Sequence, residues 1–212
     1  MEINKNPIHR QFLWMPIPIL RSLFKTFDCT FEEQIYFFKN TSINEVQVGM
    51  LFFMEDISPN NLQNKKDQLL ELVEHCDNWW ISDALSNIYA KICEMESPSM
   101  VEIFTERNQS DNLWKRRQSV VSLYYYARMR KKHIAFETAL WLVKNLLFDN
   151  EYYVQKGVGW TLREMYNVYP KKTSTFLEQH AHIVHPHAWQ ASTEKLDKDF
   201  KDKLKAKRKL WK

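Results

Sequence analysis

The scarcity of glycine constrains this chain most. Only three occur in 212 residues: Gly49, Gly157 and Gly159. Sandwiches and parallel α/β sheets use glycine freely where turns demand left-handed backbone. A chain this poor in glycine, with apolar residues recurring three and four apart over long segments, is expected to be all-α. Apolar residues make up 44% of the chain and aromatics 14%, so a core can form. The length fits one domain or a domain with an appendage.

Start and stop signals divide the chain into a succession of helices. Pro16 and Pro18 open one that runs to about Phe27. Thr30 and Glu33 form a capping box for FEEQIYFFKN. A third helix covers 43–57. Ser58-Pro59 starts a fourth, ending near His75. Asn78 opens a helix to about Met95, and Ser97-Pro98 another to about Arg107. Asp111 is expected to cap a long helix through Arg130. Helices follow over 135–148, 151–169 and from Pro170 to about Ala181. HIVHPHAW reads as irregular, and 193–210 as a charged helix or tail. Helix pairs recur at roughly 35–40 residues, the spacing of HEAT-like arrays. The expected architecture is a HEAT-like helical-repeat solenoid with a concave basic groove. Residues 1–193 form the domain and 194–212 a basic C-terminal helix or tail. In that tail Leu196, Phe200 and Leu204 recur every fourth residue, so a docked helix competes with a solvated one.

Composition excludes several classes. Cys29, Cys76 and Cys93 are odd in number and lack CxxC spacing, which reads as reduced thiols. The histidines do not join them at ligand spacing, so no metal site is expected, and no cofactor is called for. FLWMPIPIL is apolar but contains two prolines and runs into Arg21 and Lys25 without a cleavage site, unlike a signal peptide. No apolar run approaches the ~20 residues of a membrane span. A cytoplasmic protein is expected, nucleoid-associated in a bacterium, and monomeric.

Net charge is +4, unevenly distributed. Between Arg107 and Lys132 stand eight Lys/Arg against Asp111 alone. From Glu194 to Lys212 nine Lys/Arg face four acids. Both stretches are candidate nucleic-acid surfaces. The first interleaves arginines with Trp114 and Tyr124–Tyr126, which favours phosphate binding; the second also reads as a solvated tail. A nucleic acid is the expected partner, and Lys115, Arg116, Arg117, Arg128, Lys156 and Arg163 are the candidate residues for binding it.

Helical spacing singles out a few side chains. Trp79 and Asp83 in NWWISDALSN are four apart, on one helix face. Trp114 and Arg117 lie three apart in NLWKRRQ. Lys156, Trp160 and Arg163 follow one another around a helix in YYVQKGVGWTLRE. Aromatic faces beside a carboxylate and cations suit a polyanion. Each also has a plain structural reading: Trp79, Trp114 and Trp160 as packing residues, Asp83 as a solvated acid.

These segments together resemble the AlkD-type DNA alkylation repair family of HEAT-like-repeat DNA glycosylases. FLWMPIPILRSLFK looks like the family's P-x-L-R segment, with Pro18 and Arg21 in register. NWWISD matches W-x-x-x-D, DNLWKRRQSVVSLYY matches N-x-W-x-x-R, and YYVQKGVGWTLREMYNVYP matches F-x-x-K-x-x-G-W-x-L-R-E through Lys156, Gly159, Trp160, Arg163 and Glu164. The last is the most specific, and the motifs occur in the family's order.

The resemblance implies a monofunctional alkylpurine-DNA glycosylase whose partner is duplex DNA, alkylated or not, with Lys115, Arg116, Arg117, Arg128, Lys156 and Arg163 as DNA-binding residues. Such an enzyme hydrolyses the N-glycosidic bond of N3- or N7-alkylated purines without flipping the base. The catalytic residues it implies are Asp83, Trp79, Trp160 and Arg117. Asp83 would stabilise the cationic sugar and orient a water. The two tryptophans would cover the sugar, and Arg117 would hold a phosphate. Trp114 falls at a packing position.

The sequence departs from the family in two places. Only eleven residues precede FLWMPIPIL, whereas excising members carry further DNA-contacting helices there, so weaker substrate capture is expected. HAWQASTEKLD matches the family's C-terminal R-E-A helix poorly. A non-excising binder of distorted or branched DNA and a HEAT-like protein-interaction scaffold therefore stand as alternatives.

Overall fold

The computed structural model describes residues 10–210. The expectations about the chain ahead of Arg10, and about Trp211 and Lys212, lie outside these residues. The described chain is all-α, with no strand and a single isolated bridge between Gln11 and Ile43. Helices pack mainly on near neighbours in sequence, as in a helical-repeat array. The chain divides into two compact units, residues 1–76 and 77–212.

In the first unit, α1 (Ile17–Phe24), α2 (Phe31–Asn40) and α3 (Asn44–Glu55) precede two short turns of helix, α4 (Pro59–Asn64) and α5 (Lys66–Glu71). The Thr30–Glu33 capping box is present, with the Thr30 amide donating to Glu33 Oε2 at 2.8 Å. α3 buries Val48, Leu51 and Met54 against α2, whose Phe38 is also buried. Gly49 is needed for close approach: the Phe24 ring occupies the space that a Cβ would take. Arg21 is spent internally, paired with Glu55 at 2.7 Å and lying over the Phe52 ring. The single helix expected from Pro59 to His75 is instead broken at Lys65 and ends in a tighter 3₁₀ turn over Leu72–His75.

The second unit comprises α6 (Trp79–Met95), α7 (Ser97–Asn108), α8 (Leu113–Val121), α9 (Phe136–Asn145), α10 (Tyr152–Val168), α11 (Pro170–His180), α12 (Pro186–Ser192) and α13 (Lys198–Leu210). α10 is its centre and packs on α8, α9, α11 and α12. Burial pushes the Cys93 thiol up to about 12, so this cysteine stays protonated and inert.

Three expectations for this unit need correction. Asn112, not Asp111, caps α8, accepting from the Trp114 amide at 2.9 Å. The helix also does not continue to Arg130. It ends at Val121, and the chain turns through Tyr126, which has left-handed backbone (φ 47°, ψ 59°). HIVHPHAW is not irregular: Pro186 is the first residue of α12, a position where proline's missing N–H costs nothing. The C-terminal segment is a docked helix, with Leu204 fully buried and Arg208 donating to the carbonyls of Ala181 and Val184 at 2.7 and 2.6 Å.

Candidate functional site

Asn78 sets the phase of α6. Its side chain accepts from the amides of Trp80 and Ile81 at 3.0 and 3.1 Å. Ile81, Leu85, Ile88 and Ile92 then face the core, leaving Trp79 and Asp83 one turn apart on the outer face. Trp79 is 47% exposed, so it is not a core residue. Trp114 is, packing against the Tyr153 ring at 5.2 Å.

α10 supplies a second stripe: Tyr152 and Tyr153, Lys156, Trp160 and Arg163. Its two glycines permit close packing on both sides. At Gly157 a Cβ would stand 3.1 Å from Arg117 Cγ, so the glycine leaves room for that side chain to cross the helix. At Gly159 a Cβ would stand 2.7 Å from Ala188 Cα and collide with the Ala188 carbonyl oxygen. The missing side chain thus lets the α12 backbone lie directly on α10.

These elements enclose an open cleft of about 510 Å³, lined by Trp79, Asp83, Arg117, Tyr152, Tyr153, Lys156, Trp160 and Arg163, with Gln190, Ala191 and Glu194 closing it. Six residues singled out from sequence therefore meet in one place: Trp79, Asp83, Arg117, Lys156, Trp160 and Arg163. Lys115, Arg116 and Arg128 do not line the cleft. Arg116 is a loop staple, with Nε donating to Asp149 Oδ2 at 2.6 Å and Nη1 to the carbonyls of Ser110 and Asp111. Arg128 is exposed and donates to Asn167.

The cations of the cleft fall into two kinds. Arg117 is only 6% exposed. Its Nη2 donates to Asp83 Oδ1 at 2.7 Å and its Nη1 to the Tyr153 carbonyl at 2.6 Å. Its Nε is buried without a partner among the described residues. A guanidinium held in this way is a bracket for Asp83 rather than an open phosphate clamp, which is the role the sequence suggests for it. Arg163 is likewise spent, on Glu164 at 3.1 Å and Glu194 at 3.0 Å, while lying 5.3 Å from the Trp160 ring centre. Lys195, and after it Arg163, hold the Glu194 carboxyl below the usual carboxylate range. Lys156 makes no hydrogen bond or ion pair among the described residues. Asp83 Oδ2 likewise accepts no hydrogen bond among them, and the Asp83 side chain is 30% exposed.

Trp160 is braced from behind by Tyr125, whose ring lies 5.3 Å away and tilted by 32°. Sequence reasoning missed Tyr152, Tyr153, Gln190, Ala191 and Glu194. The tyrosines could have been found, since they stand four and three residues before Lys156. The other three could not, because Gln190 and Ala191 follow directly on a stretch read as irregular and Glu194 falls in a segment read as a charged helix or tail.

The chain matches the sequence model of the family described as "DNA alkylation repair enzyme" over residues 7–196, and it belongs to that family. Two solved structures from Streptococcus mutans are similar. The crystal structure of smu.31 from strain UA159 is 19% identical, with a TM-score of 0.58, covering 85% of this chain and 90% of that one. AlkD2 is 18% identical, with a TM-score of 0.56, covering 85% and 97%. At these identities the likeness establishes the helical-repeat fold. No curated protein sequence matches the chain. No helix among the described residues is long and apolar enough to cross a membrane.

Proposed function

We propose that this chain is a monofunctional DNA glycosylase that releases purines alkylated at N3 or N7. The observation that carries this reading is Asp83: a carboxylate fixed by a buried arginine, with Trp79 and Trp160 lining the same open cleft. An alkylated purine is cationic and leaves readily. The barrier lies in the positive charge that grows on the deoxyribose. A carboxylate about 4 Å from a unit positive charge contributes roughly 4 kcal/mol at an effective dielectric of ~20. Arg117 offsets part of that, so about 2–4 kcal/mol remains, comparable with a single preorganised transition-state contact.

In this reading Asp83 Oδ2 faces the sugar and orients the attacking water. Arg117 is a positioning residue that holds Oδ1. Trp79 and Trp160 offer electron-rich faces to the cationic sugar. Lys156 meets a backbone phosphate of the same strand. The cleft is open, so the sugar and backbone can be gripped without a closed chamber for an extruded base.

The test is single-turnover release of 3-methyladenine or 7-methylguanine from alkylated duplex DNA. Wild type should exceed the uncatalysed background, and Asp83→Asn should lose roughly 30- to 1,000-fold while still binding. Release by wild type no faster than background would sink the glycosylase reading and leave a non-excising DNA binder as the better account.

A further inference from the structure

The break in α8 builds a feature that the cleft does not use. Between Val121 and Phe136 the chain forms a loop whose conformation is fixed from several sides. Tyr124 Oη donates to the Ile134 carbonyl at 2.7 Å, and burial pushes this phenol well above its usual range, so the donor persists. Arg130 donates to Asn87 Oδ1 at 2.6 Å and to the Tyr125 carbonyl at 3.2 Å. Glu94 Oε1 accepts from the amides of Lys131 and Lys132 at 2.6 and 3.2 Å. The Met129 amide closes the turn on the Tyr126 carbonyl at 2.8 Å.

What this rigid loop displays is unusual for a surface. Tyr126 is 52% exposed and Met129 78%. Arg128, Lys131 and Lys132 stand exposed between and beside them, and their side chains form no ion pair among the described residues. Tyr126 adopts left-handed backbone, a conformation that disfavours a bulky side chain. Its ring lies edge-on to Tyr125 at 4.6 Å and to Trp160 at 6.4 Å. The loop thus sets Tyr126 against Trp160 of the cleft, with exposed cations following at Arg128, Lys131 and Lys132.

Aromatic rings with interleaved, unpaired cations on a preorganised support are the pattern that grips a nucleic-acid strand. The rings take bases or sugars and the cations take phosphates. We propose that the loop Tyr126–Lys132 is a second DNA contact, in which Tyr126 stacks on the base left without a partner by the lesion held in the cleft, and Arg128, Lys131 and Lys132 take the phosphates that flank it. This rests on the reading of the cleft as a DNA site but not on excision.

The experiment is fluorescence anisotropy with two labelled duplexes of one sequence, one intact and one carrying a single tetrahydrofuran abasic analogue. Wild type should prefer the second. Tyr126→Gly is the decisive variant, because glycine suits the left-handed backbone and removes only the ring. It should keep its melting temperature within a few degrees yet lose roughly tenfold of the preference for the abasic duplex. Tyr126→Phe should keep the preference. Lys131→Gln with Lys132→Gln should weaken both duplexes alike and reduce the slope of log K against log salt by about one to two. An unchanged preference in Tyr126→Gly, or an equal loss on both duplexes, overturns the proposal. Failure of the glycosylase reading would show separately, as absent purine release with these binding differences intact.

Discussion

Gly159→Ala puts the packing of the cleft to a direct test. The added methyl would stand 2.7 and 2.8 Å from Ala188 Cα and C, and closer still to the carbonyl oxygen. These are backbone atoms, so no rotamer change relieves the overlap. To regain ordinary contact, α12 must move away from α10 by about 1 Å. Overpacking of this kind costs about 1–3 kcal/mol, and a backbone obstacle places it in the upper part of that range. Alanine's better helix propensity returns about 1 kcal/mol. The net loss of about 1–2 kcal/mol corresponds to a fall of roughly 2–8 °C in melting temperature for a chain of this size. Gly157→Ala is the matched comparison. Its methyl would meet Arg117 Cγ and Val121 Cγ2 at 3.1 Å, side-chain atoms that can shift by a few tenths of an ångström. It gains the same propensity, so it should melt near the wild-type temperature. Circular dichroism melts of the three proteins give the answer. A Gly159→Ala variant as stable as Gly157→Ala would refute the direct α10–α12 backbone contact, and with it the account of how Gln190 and Ala191 reach the cleft.

Other outcomes follow from the same geometry. Arg117→Met should destabilise the protein by about 2 kcal/mol through loss of a charge-assisted bond, and slow excision without changing the salt dependence of binding; Arg117→Lys should not rescue it, because one ammonium cannot replace the planar fork that spans Asp83 and the Tyr153 carbonyl. Lys156→Met should lower the salt slope of duplex binding by about one while leaving urea unfolding unchanged. His75 gives a pH signature: burial, then Lys39 and Arg10, lower its pKa, partly opposed by Glu74. Its neutral form is favoured in the fold, so this contribution is complete above the ordinary value of about 6.5 and is lost as pH falls through the folded value. Urea titrations between pH 7.5 and 5 should show that decline, and His75→Gln should flatten it.

Much of the fold is written in local signals. The Thr30–Glu33 box, the Asn78 cap and the Ser97-Pro98 start each act within one turn, so they are legible without tertiary information. The end of α8 is different. SVVSLYYYARMRKK contains neither glycine nor proline, and nothing local stops the helix at Val121. The partners that stop it, Asn87, Glu94 and Ile134, are ten to forty-odd residues away. α12 was hidden by the opposite error, since a proline that reads as a break opens the helix. For the site, spacing alone grouped Trp79 with Asp83, Trp114 with Arg117 and Lys156 with Trp160, and the family resemblance joined Arg117 to Asp83 and the two outer tryptophans. Neither could show that Arg117 bonds a carboxylate 34 positions earlier.

That bond bears on how the charges of the cleft divide the work. A catalyst acting on a sugar that becomes cationic is harmed by any open cation beside it, because that cation cancels the field of the carboxylate. Yet a DNA-binding cleft needs cations for the phosphates. On the proposed mechanism, placement resolves the conflict. Arg117, the cation closest to Asp83, lies almost buried against Oδ1 and the Tyr153 carbonyl. Arg163 is neutralised by Glu164 and Glu194. Lys156 keeps its charge available, one turn along α10 from Trp160 and on a different helix from Asp83. On the proposed mechanism the anion is therefore presented to the sugar and the free cation to the backbone. Trp79 stands one turn before Asp83 on the exposed face of α6, so a cation placed there would sit beside the carboxylate. Trp79→Lys should therefore reduce excision while strengthening duplex binding. Loss of both together would mean that Trp79 serves binding rather than the electrostatics of the reaction.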